Sequence, residues 1–176
     1  MLKTVEIKLQ SGQTWFSVPV NTSERLDSIL QNLTDAFSIT TRRGGQVYTS
    51  HYRNGNWITS TTYNLDTLSY VSSYNIRLNC SQSLHIRGES LIFPIPLSLY
   101  EGWNRFPFLQ EVDMNINEAS MNFNFSESDR IVSQYGGAEY HNNKWKPEIT
   151  LRKTRGYLLY VKHSGVLTVK HSGVLT

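Results

Sequence analysis

The residues best suited to catalysis or metal binding are few in this sequence and lie far apart. Cys80 is the only cysteine, so an intramolecular disulfide and a cysteine-based metal site are excluded. The histidines show no i, i+4 pairing and no cysteine or carboxylate at ligand spacing; they are His51, His85, His141, His163 and His171. We therefore expect neither a metal ion nor a cofactor.

Hydrolase motifs such as Gly-x-Ser-x-Gly and Ser-x-x-Lys are absent from the sequence. Gly44-Gly45 and Gly136-Gly137 lack the spacing and trailing lysine of phosphate-binding loops. Paired acids could hydrolyse a glycoside, but the acids do not match across the internal repeat described below. For example, Asp27 in the first copy aligns with Asn115 in the second. We predict a protein that is not an enzyme, and a hydrolase is the last of three hypotheses.

Aromatic side chains are the remaining candidates for function. Tyrosine rings can stack on sugars or fill a protein interface. The interface candidates are four tyrosines and two residues of the strand-like C-terminus, namely Tyr48, Tyr63, Tyr70, Tyr135, Val174 and Leu175.

Charge and hydropathy exclude two classes of partner. The net charge is +3 with a pI near 9.0, but lysines and arginines are scattered, with doublets only at Arg42-Arg43 and Arg152-Lys153. A nucleic-acid-binding surface needs a basic stripe or a known motif, so we expect no nucleic acid. The longest apolar stretch, 91–97, is too short to span a membrane. The residues after Met1 form no apolar segment of a signal peptide. We therefore expect either that the protein is not secreted by that route or that this is a mature or excised segment.

The four tryptophans reveal an internal duplication. Trp15 and Trp103 are 88 positions apart, and so are Trp57 and Trp145. The same offset matches other large side chains, among them Ile7 with Ile95, Pro19 with Pro107, Phe37 with Phe125 and Tyr52 with Tyr140. A repeat of this length predicts two homologous modules, residues 1–89 and 90–176. We expect the anchors of their cores to be Trp15, Trp57, Trp103, Trp145, Pro19 and Pro107.

Patterning within each module is typical of β-structure. Residues 3–9 alternate polar and apolar side chains, and 15–20 and 103–108 form a second strand with proline at the same place. Residues 21–33 carry helical spacing, and 115–123 predict a shorter or distorted helix. The sequence therefore predicts an α+β, mostly β fold, with two small sheet-like or barrel-like modules that each hold one short helix.

The C-terminus contains an exact repeat, because residues 161–168 recur as 169–176. One interpretation is an extra strand offered to the open edge of a neighbour. The alternative is a recent duplication or error in the coding sequence. The period of eight preserves the inside and outside faces of a strand, so either interpretation is structurally tolerable.

The second copy resembles a tandem repeat module of surface and secreted proteins from Bacteroidetes-type bacteria. The residues that carry this resemblance are Gly102-Trp103-Asn104, Phe106-Pro107, 129–134, Tyr140, Trp145 and 156–161. The first copy keeps Trp15, Pro19, Tyr52 and Trp57 but lacks the Gly-Trp-Asn and Ser-Gln pieces. The resemblance implies a non-enzymatic accessory module at the cell surface or outside the cell.

These observations favour a structural or adhesive protein that acts through contacts with itself or with other surface proteins. Self-assembly into a filament or surface layer is part of this hypothesis. The alternative is a carbohydrate-binding module that uses exposed tyrosines.

Overall fold

Strands make up nearly all of the regular structure, so the prediction of a mostly β fold is confirmed. The structure is a computed structural model that describes residues 1–31, 33, 36–43, 46–53, 56–59, 65, 67–119 and 121–171, with the backbone alone at 36–37, 43, 46–53 and 56–59. In chain order the elements are β1 (Leu2–Leu9), β2 (Gly12–Ser17), α1 (Leu26–Leu30), β3 (Ala36–Arg43), β4 (Gln46–Arg53), β5 (Asn56–Thr59), β6 (Ser73–Leu78), β7 (Gln82–Glu89), β8 (Ile95–Leu99), β9 (Gly102–Pro107), β10 (Met114–Asn115), β11 (Met121–Asn122), β12 (Arg130–Ser133), β13 (Gly136–His141), β14 (Lys144–Lys146), β15 (Thr150–Leu151), β16 (Gly156–Val161) and β17 (Gly165–Val169).

The N-terminal half contains a five-stranded antiparallel sheet in the order β2-β6-β3-β4-β5 and the pair β1-β7. Strands β1, β2, β3, β6 and β7 contribute side chains to one cluster of buried residues. Phe16, Tyr74 and Ile76 are fully buried there, and the rings of Phe16 and Tyr74 stack at 5.6 Å. Helix α1 packs on this cluster and contributes its buried side chains Leu26, Ile29 and Leu30.

The C-terminal half contains a second five-stranded sheet in the order β14-β13-β12-β16-β9. Strands β11, β17 and β8 form a smaller sheet, and β10 pairs with β15. A separate cluster of buried residues fills this half, with Ile131, Leu151 and Leu167 at its centre. Each half therefore has its own hydrophobic core.

The two five-stranded sheets have the same connectivity, and matching residues recur within them. Tyr74 accepts a hydrogen bond from the backbone N–H of Ser69, and Tyr157 accepts one from Arg152, in both cases five residues earlier. Phe16 lies opposite Tyr74 in the ladder, as Phe106 lies opposite Tyr157. Gly12 and Gly102 open their strands with positive φ, 89° and 100°.

These correspondences give an offset of 90 in the first strands, whereas the tryptophans suggested 88. In the N-terminal sheet, Trp15 lies opposite Asn75. The corresponding position in the C-terminal sheet is Arg105, which lies opposite Leu158. Trp15 and Trp103 are therefore not structural counterparts, and neither are Pro19 and Pro107. A shift of two residues preserves the alternation of inside and outside faces, so the hydrophobic pattern of these strands matches at an offset of 88 as well as at 90.

Only part of the expected helical structure is present. The first helix is limited to the five residues of α1, and its N-cap, Arg25, makes no side-chain capping hydrogen bond. The expectation of a second helix at 115–123 is wrong for the described residues, which form β10, a turn and β11 instead. Asn115 accounts for the difference, because its side chain accepts a hydrogen bond from the N–H of Asn117 and so stabilises a local turn.

The residues expected to anchor the cores occupy different environments. Trp145 is buried and packs against Phe125 and Tyr140 at ring distances of 5.0 and 5.2 Å. Trp15 and Trp103 are half-buried on the outer faces of their sheets and lie outside both buried clusters. Of the two prolines, Pro107 is buried and Pro19 half-buried, and the side chain of Trp57 lies outside the described residues.

The C-terminal octapeptide repeat begins at the last residue of β16. Its first copy spans the end of β16, a turn and most of β17, and its second copy starts at Val169. Residues 172–176, which include Val174 and Leu175, lie outside the described residues. In the described part of the chain, no helix is long and apolar enough to cross a membrane.

Candidate functional site

The outer faces of the two five-stranded sheets pack against each other, and we call this contact the seam. Strand β2 packs against β16, and β6 packs against β9. A Cβ atom on Gly156 would lie 2.7 Å from the Cβ of Ser73 and 3.0 Å from the carbonyl oxygen of Phe16. Glycine is required at this place because the two backbones approach so closely.

Ser17 connects the halves through three hydrogen bonds across the seam. Its backbone N–H donates to the carbonyl of Thr154 at 2.8 Å, and its hydroxyl donates to the carbonyl of Arg155 at 2.6 Å. The same hydroxyl oxygen accepts from the N–H of Phe108 at 2.9 Å. Because Ser17 is fully buried, loss of these partners would leave unsatisfied polar groups.

Gln134 extends the seam along the free edge of β2. It lies in the turn between β12 and β13, and its amide oxygen accepts from the N–H of Trp15 at 2.7 Å. Its amide nitrogen donates to the carbonyl of Gln13 at 2.8 Å. The side chain thus satisfies one donor and one acceptor of the edge strand, as a neighbouring strand would.

An open groove runs along the seam on both sides of Trp15. One cavity, of about 610 Å³, and a second, of about 270 Å³, share Trp15 and Gln134 in their linings. The first is lined by Gln10, Gly12, Gln13, Trp15, Arg77, Leu78, Asn79 and Gln134. The second is lined by Trp15, 133–136, 149–150, Arg152 and 155–157. We refer to both cavities together as the seam groove.

Side-chain amides, aromatic rings and arginines line the seam groove. Tyr135 is 77% exposed, and its hydroxyl donates to the amide oxygen of Gln10 at 2.8 Å. Gln10 in turn donates to the carbonyl of Gln13 at 2.8 Å. The lining residues include three arginines and, in the described part of the chain, no aspartate or glutamate.

The three arginines differ in how they are engaged. Arg155 donates from Nη1 to the carbonyl of Lys8 at 2.9 Å, and Arg152 lies 3.7 Å from a carboxylate oxygen of Asp113. The side chain of Arg77 is exposed and makes no hydrogen bond or ion pair with the residues that the structure describes. Arg77 is therefore available to an anionic ligand.

Arg105 lies behind the groove and stacks on the indole of Trp15, with 4.8 Å from its guanidinium carbon to the ring centroid. Burial, followed by repulsion from Arg42, lowers the pKa of Arg105 to about 10, so it stays protonated at neutral pH. Three buried polar atoms at this place have no hydrogen-bond partner within the described residues: Trp15 Nε1, Asn75 Oδ1 and Arg105 Nη1. Among the described residues, Arg105 therefore has no carboxylate as an ion-pair partner.

A second polar cluster lies on the opposite part of the C-terminal sheet. His141 Nδ1 lies 3.1 Å from Glu127, and Nε2 lies 3.3 Å from Glu139. Hydrogen bonds to Glu127 and then to Glu139 raise the pKa of the imidazole above its ordinary value. Sequence reasoning missed this cluster, although residues 139 and 141 lie two apart in a strand and so share one face.

Of the tyrosines predicted to form an interface, the structure describes the side chains of Tyr70 and Tyr135, and these two lie in different places. Tyr135 lies in the seam groove, whereas Tyr70 is half-buried and packs against the C-terminal core. Tyr48 is described by its backbone alone, and Tyr63 lies outside the described residues. The groove residues that sequence reasoning missed, Gln10, Gln13, Gln134 and Arg77, carry no motif, and only the packing of the halves brings them together.

No group of three or more metal-ligating side chains occurs among the described residues. Comparisons with protein-family models, with curated proteins and with solved structures find no match to this chain. The case for a function therefore depends on the geometry of the seam.

Proposed function

We propose that this protein is a non-enzymatic adhesive protein that binds its target at the seam groove. The observation that carries the proposal is an open groove bounded by the half-buried Trp15 and the exposed Tyr135. Both rings lie beside side-chain amides that are fixed by hydrogen bonds. A preorganised surface of this kind binds without a large cost in side-chain entropy.

The architecture behind this proposal is a pair of homologous modules with one common seam. Residues at corresponding positions meet each other across it, since Trp15 stacks on Arg105 and Ser73 lies against Gly156. Contacts between like positions are characteristic of a two-fold symmetric interface. We infer that the chain arose by duplication of a module that once paired with a second copy of itself.

The hydrogen-bond network of the groove supports binding in preference to catalysis. The side-chain amides of Gln10 and Gln134 donate to the backbone carbonyl of Gln13, and that of Gln10 also accepts from Tyr135. The amide oxygen of Gln13 accepts from the amide of Asn75, so the three side chains hold a fixed surface. Catalysis would call for a nucleophile or a base with a shifted pKa in the groove. The described lining instead offers neutral hydrogen-bonding groups, rings and arginines. Burial raises the pKa of Tyr157, which also lines the groove, so its hydroxyl stays protonated and is a poor base.

A location outside the cell or at its surface belongs to the same proposal. It is supported by the Gly-Trp-Asn and Gly-Tyr-x-Leu-x-Val motifs, which resemble the repeat modules of surface and secreted proteins. In this setting the two modules would present the groove to a target on another surface.

A second candidate function is self-association through a partly apolar surface between the halves. Ile92 is 87% exposed and lines a cavity of about 430 Å³. The rest of the lining is both apolar and polar, namely Met1, Tyr70, Leu91, Ile95, Asn21, Glu89 and Ser90. Strand addition at β14 is disfavoured, because Lys144 and Lys146 lie exposed on that edge. Assembly into a filament or layer would therefore use the surface around Ile92, with a second copy of the chain as its partner.

One experiment separates the two candidates. The wild-type protein and the variants Tyr135→Ala and Ile92→Asp are compared for adhesion to a glycan array and for oligomeric state by light scattering. Adhesive binding predicts that Tyr135→Ala loses selective adhesion and keeps its mass. Self-association predicts that Ile92→Asp reduces the mass. A strict monomer that adheres to nothing would contradict both candidates.

A further inference from the structure

We propose that the ligand of the seam groove is an anionic carbohydrate, a chain of sugar rings that carries carboxylate or sulfate groups. This inference rests on the proposed function and adds the chemical class of the target.

The charge of the groove favours an anion. Arg77 is exposed and unpaired within the described residues, and it lines the same cavity as Trp15. Arg105 and Arg42 add positive charge behind the indole, and no carboxylate in the described lining opposes them. A guanidinium binds a carboxylate or sulfate through two parallel hydrogen bonds, which makes Arg77 the expected contact of the anionic group.

The neutral groups of the groove fit sugar rings. Trp15 lies between the two cavities, and Tyr135 stands exposed beside the second, so rings are available on both sides of the amide cluster. An aromatic face packs against the C–H groups of a sugar, and side-chain amides bond to its hydroxyls. The first cavity contributes three such amides besides Gln134, those of Gln10, Gln13 and Asn79.

A polypeptide ligand is less compatible with this groove. Extended peptides usually bind by adding a strand to an open sheet edge. The edge of β2 is already occupied, since Gln134 bonds to Trp15 and Gln13, and Ser17 bonds to Thr154. A single-stranded nucleic acid would need a longer basic track with several stacking rings in succession.

Isothermal titration calorimetry can test the inference with oligogalacturonate, a heparin oligosaccharide and the neutral cello-oligosaccharide of equal length. We expect one of the two anionic ligands to bind and the neutral one to bind at least tenfold more weakly. The variant Arg77→Gln should weaken binding about tenfold, because it loses a charge-assisted contact. Arg87→Gln is the matched control, since Arg87 is exposed on β7 and lines none of the groove; it should leave the affinity unchanged.

Three results would overturn the inference. These are equal affinity for the neutral ligand, tighter binding of polyglutamate or oligothymidylate than of either anionic sugar, and equal effects of the two arginine variants. If the protein binds neutral glycans selectively and Tyr135→Ala abolishes this binding, the inference of an anionic ligand is wrong and the proposed adhesive function is retained. If none of the ligands binds and Tyr135→Ala leaves adhesion unchanged, both the inference and the proposed function are wrong.

Discussion

Gln134 shows how a single side chain can take the place of a strand. Its amide pairs with Trp15 and Gln13 on the free edge of β2, from a turn in the other half of the molecule. No local pattern marks this residue, because its role depends on a contact across more than a hundred positions. The adjacent Gly136-Gly137 pair favours a turn here, but nothing local predicts which edge the turn reaches.

Replacing Gln134 with leucine should destabilise the protein by about 1–3 kcal/mol, since the N–H of Trp15 and the carbonyl of Gln13 lose their partners. Chemical denaturation measures the change in the free energy of unfolding. Gln31→Leu is the control, because Gln31 is exposed at the end of α1 and should change stability very little. Equal effects of the two substitutions would contradict the role given to Gln134.

His141 makes the protein sensitive to pH near neutrality. Its folded-state pKa lies above the ordinary value of 6.5, because Glu127 and Glu139 bond to the ring. The protonated imidazole therefore contributes stability fully below pH 6.5, and this contribution is lost as the pH rises through the folded-state pKa. The stability difference between wild type and His141→Gln should accordingly shrink above pH 6.5.

Proton NMR of the imidazole gives this pKa directly. We expect a value above 6.5 in the wild type and a lower one in the double variant Glu127→Gln/Glu139→Gln. Glu118→Gln, an exposed carboxyl that makes no bond to His141, should leave the value unchanged. A wild-type pKa at or below 6.5 would refute the assigned contacts.

At the level of elements, strand content was predictable and register was not. Alternation in residues 3–9 predicted β1. The turn between β13 and β14 is formed by Asn142 and Asn143, which both have positive φ, a conformation that asparagine tolerates. The offset of 88 holds in that hairpin, where Tyr52 faces Trp57 and Tyr140 faces Trp145. It fails in the first strands, because a slip of two residues leaves the hydrophobic pattern unchanged.

The two core tyrosines test the corrected register. Tyr74→Phe and Tyr157→Phe each remove one hydrogen bond to a backbone N–H, so each should destabilise the protein by about 0.5–1.5 kcal/mol. Corresponding positions in the two halves predict costs of similar size. Thermal denaturation of both variants measures these costs in stability. The control is Tyr160→Phe, because Tyr160 is half-buried on the outer face of β16. A large cost in one half alone would contradict the correspondence.

At the scale of the whole molecule, the seam joins two hydrophobic cores. The duplication predicted two cores, and the structure contains two clusters of buried residues. The packing of the halves could not be predicted, because it depends on backbone approach at Gly156 and on hydrogen bonds of Ser17 that have no signature in the sequence. The seam groove was missed for the same reason.

Gly156→Ala tests the close approach at the seam. The added methyl group would lie 2.7 Å from the Cβ of Ser73, so the halves must separate slightly, at a cost of about 1–3 kcal/mol. Adding Ser73→Gly to this variant should restore part of the stability, measured by chemical denaturation, because it removes the nearest atom. A second substitution that only adds to the damage would argue against this contact.

Hydrogen exchange of the amides of Trp15 and Ser17 tests most directly whether the halves form one body. Both N–H groups bond across the seam, to Gln134 and to the carbonyl of Thr154. They would be unprotected if the halves did not pack together. The account predicts that both amides exchange as slowly as the core amides of β6, and that Gly156→Ala accelerates them selectively. Exchange in the wild type as fast as that of exposed turns would contradict the seam and the groove that depends on it.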